Sequence, residues 1–479
     1  MFCYELQAFV ASVLLELEGW APLGHYVISE EMRMDTESKN AQHAGARLQA
    51  IVCRNRASEH VGDYAVCSAH PQVIAAAAQQ ASSDGSFLHV ESTSSQVNQF
   101  GGYTGQNPEQ FARFVREIAR REGLSDDEIL LGGDHLGPYP WRNEPAAVAM
   151  EKAQGLVRAC VLAGYQKIHL DASMACADDE KNALDEHTIA DRAAILCQAA
   201  ENALGELAAN SPPLLYVVGT EVPTPGGEVG AEQSIAVTTP AHVSATLETF
   251  KQAFLKRGLD SAWERVLGLV VQPGVEFGDT KIFEYSPAKA GALITALPAT
   301  PELVYEAHST DYQLPSSLRQ MVEDHFAILK VGPELTFAYR EAVLALSAVE
   351  HEMLQGKAAR VSEVRDALER AMLRNPSYWR DYYRGDPNAV RISQLYSYSD
   401  RCRYYWQDPE VQAEVKVLVE NLTSHSPLLS LISQYLPLEY EAIRGGMLLP
   451  SPSEIIRHHI GNALKKYAAA CRPDLSFQD

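Results

Sequence analysis

The chain has 479 residues, 46% of them hydrophobic and 21% charged, which is apolar enough for a large core and excludes a disordered chain. Its net charge of −22 argues against nonspecific nucleic-acid binding, which needs clustered Lys and Arg to displace counterions. The eight cysteines (3, 53, 67, 160, 176, 197, 402 and 471) are scattered without CxxC spacing, so free thiols and a reducing, cytoplasmic compartment are expected rather than a disulfide framework.

Residues 1–45 read as a poorly defined N-terminal extension. FVASVLLELEGW (9–20) has the composition of an amphipathic helix, but it carries Glu16 and Glu18, lacks a basic start and falls far short of the roughly 20 apolar residues of a membrane span. EEMRMDTESKNAQHAG (30–45) is polar, and Met32 and Met34 stay open as alternative starts. A helix is expected over ARLQAIVCRNRASE (46–59). Eight short apolar runs follow: YAVCSAH (64–70), FLHVEST (87–93), ILLGGDH (129–135), KIHLDAS (167–173), LLYVVGTE (214–221), VLGLVVQPG (266–274), LVYEAHSTD (303–311) and FAILKVGP (326–333). Each is rich in Val, Ile and Leu and closes on Gly, Pro or a polar residue, as a strand buried on both faces should. Helical stretches such as PEQFARFVREIARREG (108–123) separate them. Eight β-then-α units predict a (β/α)8, or TIM, barrel over 46–358. ELTFAYREAVLALSAVEHEMLQG (334–356) supplies its eighth helix, and 359–479 reads as a mainly helical C-terminal region. That region holds an aromatic and arginine cluster, NPSYWRDYYRG (375–385) and YSYSDRCRYYW (396–406). Packing against the barrel or a neighbouring subunit is expected of it, because the acidity of the chain opposes a nucleic-acid platform.

In such a barrel the site lies at the carboxyl ends of the strands, where His70, Glu91, Asp134, His135, Asp171, Glu221, Gln272, His308 and Asp311 fall. Asp134–His135 in GGDHLGP is the sharpest pair: neighbouring residues at a strand end can divide the roles of metal ligand and acid/base, and the flanking glycines allow close approach. Glu221 lies under the Pro/Gly loop PTPGGE (223–228), EAHSTD adds Ser309 and Thr310 as hydroxyl donors between His308 and Asp311, and Asp171 adds a further carboxylate. This N/O ligand set suits divalent Zn, Mn, Co or Mg rather than Cu or an iron–sulfur cluster. Such an ion can polarise a ketone and stabilise an enediolate while a second carboxylate shuttles a proton. QFGGYTG (99–105) offers backbone N–H groups for phosphate, and Lys330 after strand 8 reads either as a phosphate contact or as a carboxylate partner. There is no GxxxxGK[ST] and no GxGxxG.

CSAHP, ESTSSQVNQFGGYTG, GGDHLGP, KIHLDASM, GTEVPTPGGE, VVQPGVEF, YEAHSTDYQ and FAILKVGP, with SDRCRYYW and ISQYLP further on, resemble the accessory (Z-type) subunit family of class II D-tagatose-1,6-bisphosphate aldolase over about residues 46 to 470. The resemblance implies a partner role: a non-catalytic subunit needed for full activity and stability of a separate catalytic aldolase subunit, in galactitol, tagatose or N-acetylgalactosamine catabolism. The alternative, implied by other members, is a free-standing divalent-metal-dependent 4-epimerase interconverting D-tagatose 6-phosphate and D-fructose 6-phosphate. A more distant analogy with class II aldolases makes Asp134 acid/base and His135 and His308 ligands. Glu221 stands where those enzymes have a histidine-bearing Gly-Thr segment, which speaks against a three-histidine zinc site. The expected assignment is thus Asp134, Glu221 and Asp171 for catalysis, His135, Glu221 and His308 for metal, and His70, Glu91, Gln272, Ser309, Asp311 and Lys330 for a small ketose phosphate. No membrane or nucleic-acid partner is expected, and homo-oligomerisation is left open.

Overall fold

The computed structural model describes residues 43–180, 184–220, 235–357 and 359–472. The N-terminal extension up to residue 42, Glu221 and the PTPGGE segment lie outside the described residues. After a first helix, α1 (Ala44–Arg56), eight strands alternate with helices. The strands are β1 (Asp63–Val66), β2 (Leu88–Thr93), β3 (Ile129–Leu136), β4 (Lys167–Leu170), β5 (Leu215–Val218), β6 (Val266–Val271), β7 (Val304–Ala307) and β8 (Ile328–Val331). All pair in parallel with their sequence neighbours, and β8 returns to β1 with Ala65 opposite Lys330, closing the barrel. The eight apolar runs are these eight strands.

The intervening helices are α2 (Pro71–Asp84), α3 (Pro108–Arg121), α4 (Ala146–Leu162), α5 (Glu186–Leu204), α6 (Pro240–Leu255), α7 (Pro287–Ala296), α8 (Pro315–Glu323) and α9 (Pro333–Leu354). Six of them open on proline, whose fixed φ suits the first turn and whose missing N–H would be unpaired there in any case. α3 shows the local logic in full. Asn107 and Gln110 form a reciprocal capping box, and Phe111, Val115 and Ile118 recur at helical spacing to bury one face. Burying Phe111 and Val115 is worth roughly 1.5–3 kcal/mol each.

α1 covers the amino-terminal end of the barrel, packing Ala44, Leu48 and Val52 against strand-start residues that include Leu130, Leu215 and Ile328. The C-terminal helices are α10 (Val364–Arg374), α11 (Pro387–Tyr396), α12 (Pro409–Ser424), α13 (Leu429–Tyr435), α14 (Pro437–Arg444) and α15 (Pro452–Cys471). α15 lies along α2, α8 and α9 and ends where the Cys471 carbonyl accepts the Gly62 N–H at 2.9 Å. Among the described residues no helix is long and apolar enough to cross a membrane.

Candidate active site

Strand alternation sends one parity of each strand inward. At the barrel floor Leu130, Leu215, Val304 and Ile328 are apolar. One layer higher the inward residues are charged: His89 and Glu91 on β2, Lys167 on β4, Glu306 on β7 and Lys330 on β8, all buried. Gly132 on β3 makes room for this layer, because a Cβ there would meet Glu91 Cγ at 2.7 Å. Lys167 Nζ bridges Glu91 Oε1 and Glu306 Oε2, each at 2.6 Å. Lys330 Nζ pairs with Glu91 and reaches Asp134 Oδ1 at 3.1 Å. Burial alone would neutralise these groups. The Lys167 and Lys330 ammoniums overcome it and hold Glu91 well below the usual carboxylate range, and the facing carboxylates hold both lysines above theirs. Glu91 and Glu306 balance the two ammoniums within the layer, and Asp134, at the strand end above, also reaches Lys330.

At the strand ends, Asp134, His169, Glu306 and His308 bring one donor atom each to within 4.8 Å of one another. The rings of His135, His169 and His308 stand 5.0–5.2 Å apart. Burial lowers the His308 imidazole to about 4, so it is a neutral donor at physiological pH. His135 differs. Burial opposes its charge, but Asp134 and then Asp171, whose Oδ2 is 2.8 Å from its Nδ1, raise it above the usual histidine value. Its backbone is left-handed at φ 49°, as is Ser309 at φ 54°. Such strain in non-glycine residues collects where function over-determines the chain. The GGDHLGP glycines act through space: a Cβ on Gly137 would lie 1.6 Å from the Asp171 carbonyl oxygen, so only glycine lets the chain after β3 pass that strand end.

Above this group opens a cavity of about 350 Å3, with Asp134, His135, His308, Ser309, Asp311 and Lys330 among its lining residues. Its other side is built by Tyr378, Tyr382, Arg401, Arg403 and Tyr404 from the C-terminal aromatic and arginine cluster, which therefore packs over the barrel mouth. Tyr378 stacks on Tyr404 at 4.6 Å, and Tyr103, from the loop after β2, meets Tyr404 edge-on at 4.8 Å. Of the other residues singled out in the sequence, Glu91 lies beneath the cavity in the charged layer and Asp171 stands behind His135. His70 borders a small adjoining space with Arg403 and packs its ring 4.1 Å from that of Tyr339. Gln272 turns its side-chain oxygen to the Gly274 N–H of its own loop.

His169 and Glu306 were not singled out, although each lies two residues before one that was (Asp171 and His308) and so shares its strand face. Lys167 sits two residues before His169 by the same alternation.

A closed parallel barrel with an imidazole–carboxylate group at the carboxyl ends of its strands defines a (β/α)8 protein with a polar strand-end site. Residues 48–472 match the family described as D-tagatose-1,6-bisphosphate aldolase subunit GatZ/KbaZ-like, and the chain belongs to that family, among the tagatose- and aldolase-related proteins of sugar-phosphate metabolism. It is similar to a Sinorhizobium meliloti protein, described as a probable tagatose 6 phosphate kinase, at 42% identity over 86% of this chain and 100% of the other, with a TM-score of 0.78. A fructose-bisphosphate aldolase from Campylobacter jejuni matches at 14% identity over 79% of this chain and 92% of its own, with a TM-score of 0.42. The YdjI aldolase from Escherichia coli matches at 9% identity, over 78% and 97%, with a TM-score of 0.36. At those scores the two aldolases add nothing to the barrel read from the strand order.

Proposed function

We propose that the strand-end group is the active site of a divalent-metal-dependent 4-epimerase that interconverts D-tagatose 6-phosphate and D-fructose 6-phosphate. The observation that carries this reading is the convergence of Asp134, His169, Glu306 and His308, of which Asp134 and His308 line the cavity. These residues fit a metal ion: they are two carboxylates and two imidazoles, and the buried Nε2 of His169 has no hydrogen-bond partner. The same four residues would hold it. When bound, such an ion polarises a ketone and stabilises negative charge developing on its oxygen.

His135, oriented by Asp171, is the proton-transfer residue in this reading, since a hydrogen-bonded carboxylate fixes the ring and stabilises its cationic form. This exchanges the roles that the aldolase analogy gives to Asp134 and His135. Ser309 supplies a hydroxyl to the sugar, and the buried walls keep bulk water from the reacting carbons. Lys330, paired with Glu91 and Asp134, fixes the Asp134 carboxylate of the ligand group.

The test is turnover of D-tagatose 6-phosphate by the purified chain with Mn2+, Co2+, Zn2+ or Mg2+, read as fructose 6-phosphate with a coupled dehydrogenase and an EDTA control. Metal-dependent turnover supports the reading, and its absence with every metal overturns it.

The family description favours a second reading, the accessory subunit that sustains a separate catalytic tagatose-bisphosphate aldolase. Restored activity on mixing with such a subunit, without turnover by this chain alone, would support it. A kinase reading has little support, because the sequence carries no GxxxxGK[ST] phosphate-binding loop.

A further inference from the structure

A (β/α)8 barrel commonly seats a phosphate after strands 7 and 8, at the start of the following helix. In this chain that seat is filled from within. Asp311 Oδ1 accepts the backbone N–H groups of Gly332 and Glu334, each at 2.9 Å. The Glu334 carboxylate stands beside it, held by the Tyr312 N–H at 2.7 Å and the Tyr467 hydroxyl at 3.1 Å. Two carboxylates therefore hold the donors that a phosphate would need. The other candidate seat, QFGGYTG, is also closed. Gly101 donates its N–H to the Asn98 carbonyl, Gly102 to Asn98 Oδ1, Tyr103 to the Ser95 carbonyl and Thr104 to the Gln96 carbonyl.

The cations that face the cavity from its outer side come from elsewhere. Arg142 lies in the segment after β3, with its guanidinium over the Tyr139 ring and a bond to the Tyr139 carbonyl. Arg403 donates to the carbonyls of Ser399 and Asp400 and to the Tyr404 hydroxyl, all neutral acceptors that leave its charge in place. Arg401 is buried, donates to the Tyr378 carbonyl and stacks on Tyr382. Phenol groups of Tyr103, Tyr139 and Tyr378 line the same rim. In a chain of net charge −22, three arginines and a set of hydroxyl donors at one cavity mouth form a local site for an anion. Planar guanidinium groups match a phosphate in geometry as well as in charge.

We propose that this collar, built jointly by the segment after β3 and the C-terminal region, binds the phosphate of a phosphorylated ketose whose carbonyl end lies at the Asp134–His308 group. The assignment rests on the reading of the cavity as a ketose site. It gives the C-terminal region a direct part in substrate choice: the barrel holds the reacting end, and the added helices hold the anionic end.

The test is calorimetric titration of the full chain, in the presence of Mn2+, with D-tagatose 6-phosphate and separately with D-tagatose. The phosphorylated sugar is expected to bind tighter by roughly tenfold or more, as charge-assisted bonds to a desolvated anion should give. Arg142→Gln and Arg403→Gln should each reduce that ratio and leave D-tagatose binding unchanged, with Arg403→Lys keeping part of it. Arg142 is exposed, so its variant reports even where an Arg403 variant fails to fold. Equal binding of the two sugars removes the collar assignment and leaves the ketose reading standing. A preference that survives both Gln variants, or that vanishes only in Lys330→Met, places the phosphate elsewhere and overturns the proposal. Binding of neither sugar removes the ketose reading, and the collar assignment with it.

Discussion

His169 Nδ1 stands 3.0 Å from Asp134 Oδ1 on the adjacent strand, while its Nε2 is buried with no hydrogen-bond partner. An unpaired buried polar atom costs about 1–3 kcal/mol, and an imidazole grouped with two carboxylates and His308 would offset that cost by binding a cation. His169→Ala and His308→Ala should therefore each remove most of the bound divalent metal with little change in fold, whereas His135→Ala should keep the metal and lose turnover. Metal content by mass spectrometry after gel filtration decides the matter. Full metal in both the His169 and His308 variants would sink the assignment. Glu221→Ala belongs in the same series, as the ligand that the sequence put forward outside the described residues.

The strands were legible because burial on both faces leaves a strong mark, a short Val/Ile/Leu run closed by a breaker. The strand-end residues Asp134, His135, His308 and Asp311 followed from position alone. Which donors converge did not follow. Convergence depends on barrel stagger and on side-chain direction, so Glu306, the fourth residue of its run, read as a member of an apolar strand. The collar was illegible for a different reason. Arg142, Arg401 and Arg403 meet through a chain return of some 260 residues, and nothing local in YSYSDRCRYYW marks which face covers the barrel.

Asp311 gives a pH prediction. Burial, reinforced by the neighbouring Glu334 charge, raises its carboxyl to about 7 from a usual 3.8. Below pH 4 it is protonated in both folded and unfolded chains, and its contribution to stability is at its greatest. Between about 4 and 7 the unfolded chain releases the proton and the folded chain keeps it, so stability falls, by up to roughly 4 kcal/mol, and levels off above 7. Asp311→Asn keeps an oxygen for the Gly332 and Glu334 N–H groups and removes the charge. It should raise the melting temperature at pH 8 and flatten the slope between pH 4 and 7. An unchanged slope would show that another group sets it.

Arg340 and Asp400 tie the C-terminal region to α9. Arg340 is 1% exposed, its guanidinium pairs with Asp400 Oδ1, and the Thr336 hydroxyl donates to Oδ2 at 2.6 Å. Asp400 itself is left-handed at φ 45°, and Arg401 and Arg403 follow directly. Removing one partner of a buried pair strands the other charge, at a cost of about 3–5 kcal/mol. Arg340→Ala should lose that much in urea denaturation and should also loosen the collar, weakening D-tagatose 6-phosphate more than D-tagatose. A loss below about 1 kcal/mol would mean that Asp400 finds another partner or water.

Lys167 tests the charged layer itself. It is fully buried, with Nζ 2.6 Å from both Glu91 and Glu306 and no route to water. Lys167→Met preserves the length of the side chain and removes the charge, leaving Glu91 and Glu306 to share Lys330. That vacancy should destabilise the chain by about 3–5 kcal/mol at neutral pH. The loss should shrink as pH falls, because protonating one of the two carboxylates removes the uncompensated charge. Lys167→Met combined with Glu306→Gln should recover much of the loss, since the carboxylate charge removed offsets the ammonium charge removed. It should still bind metal poorly, because Glu306 also belongs to the ligand group. Chemical denaturation at pH 5 and pH 8 separates the two effects. A double variant no more stable than the single one would show that the layer is held by packing rather than by charge balance.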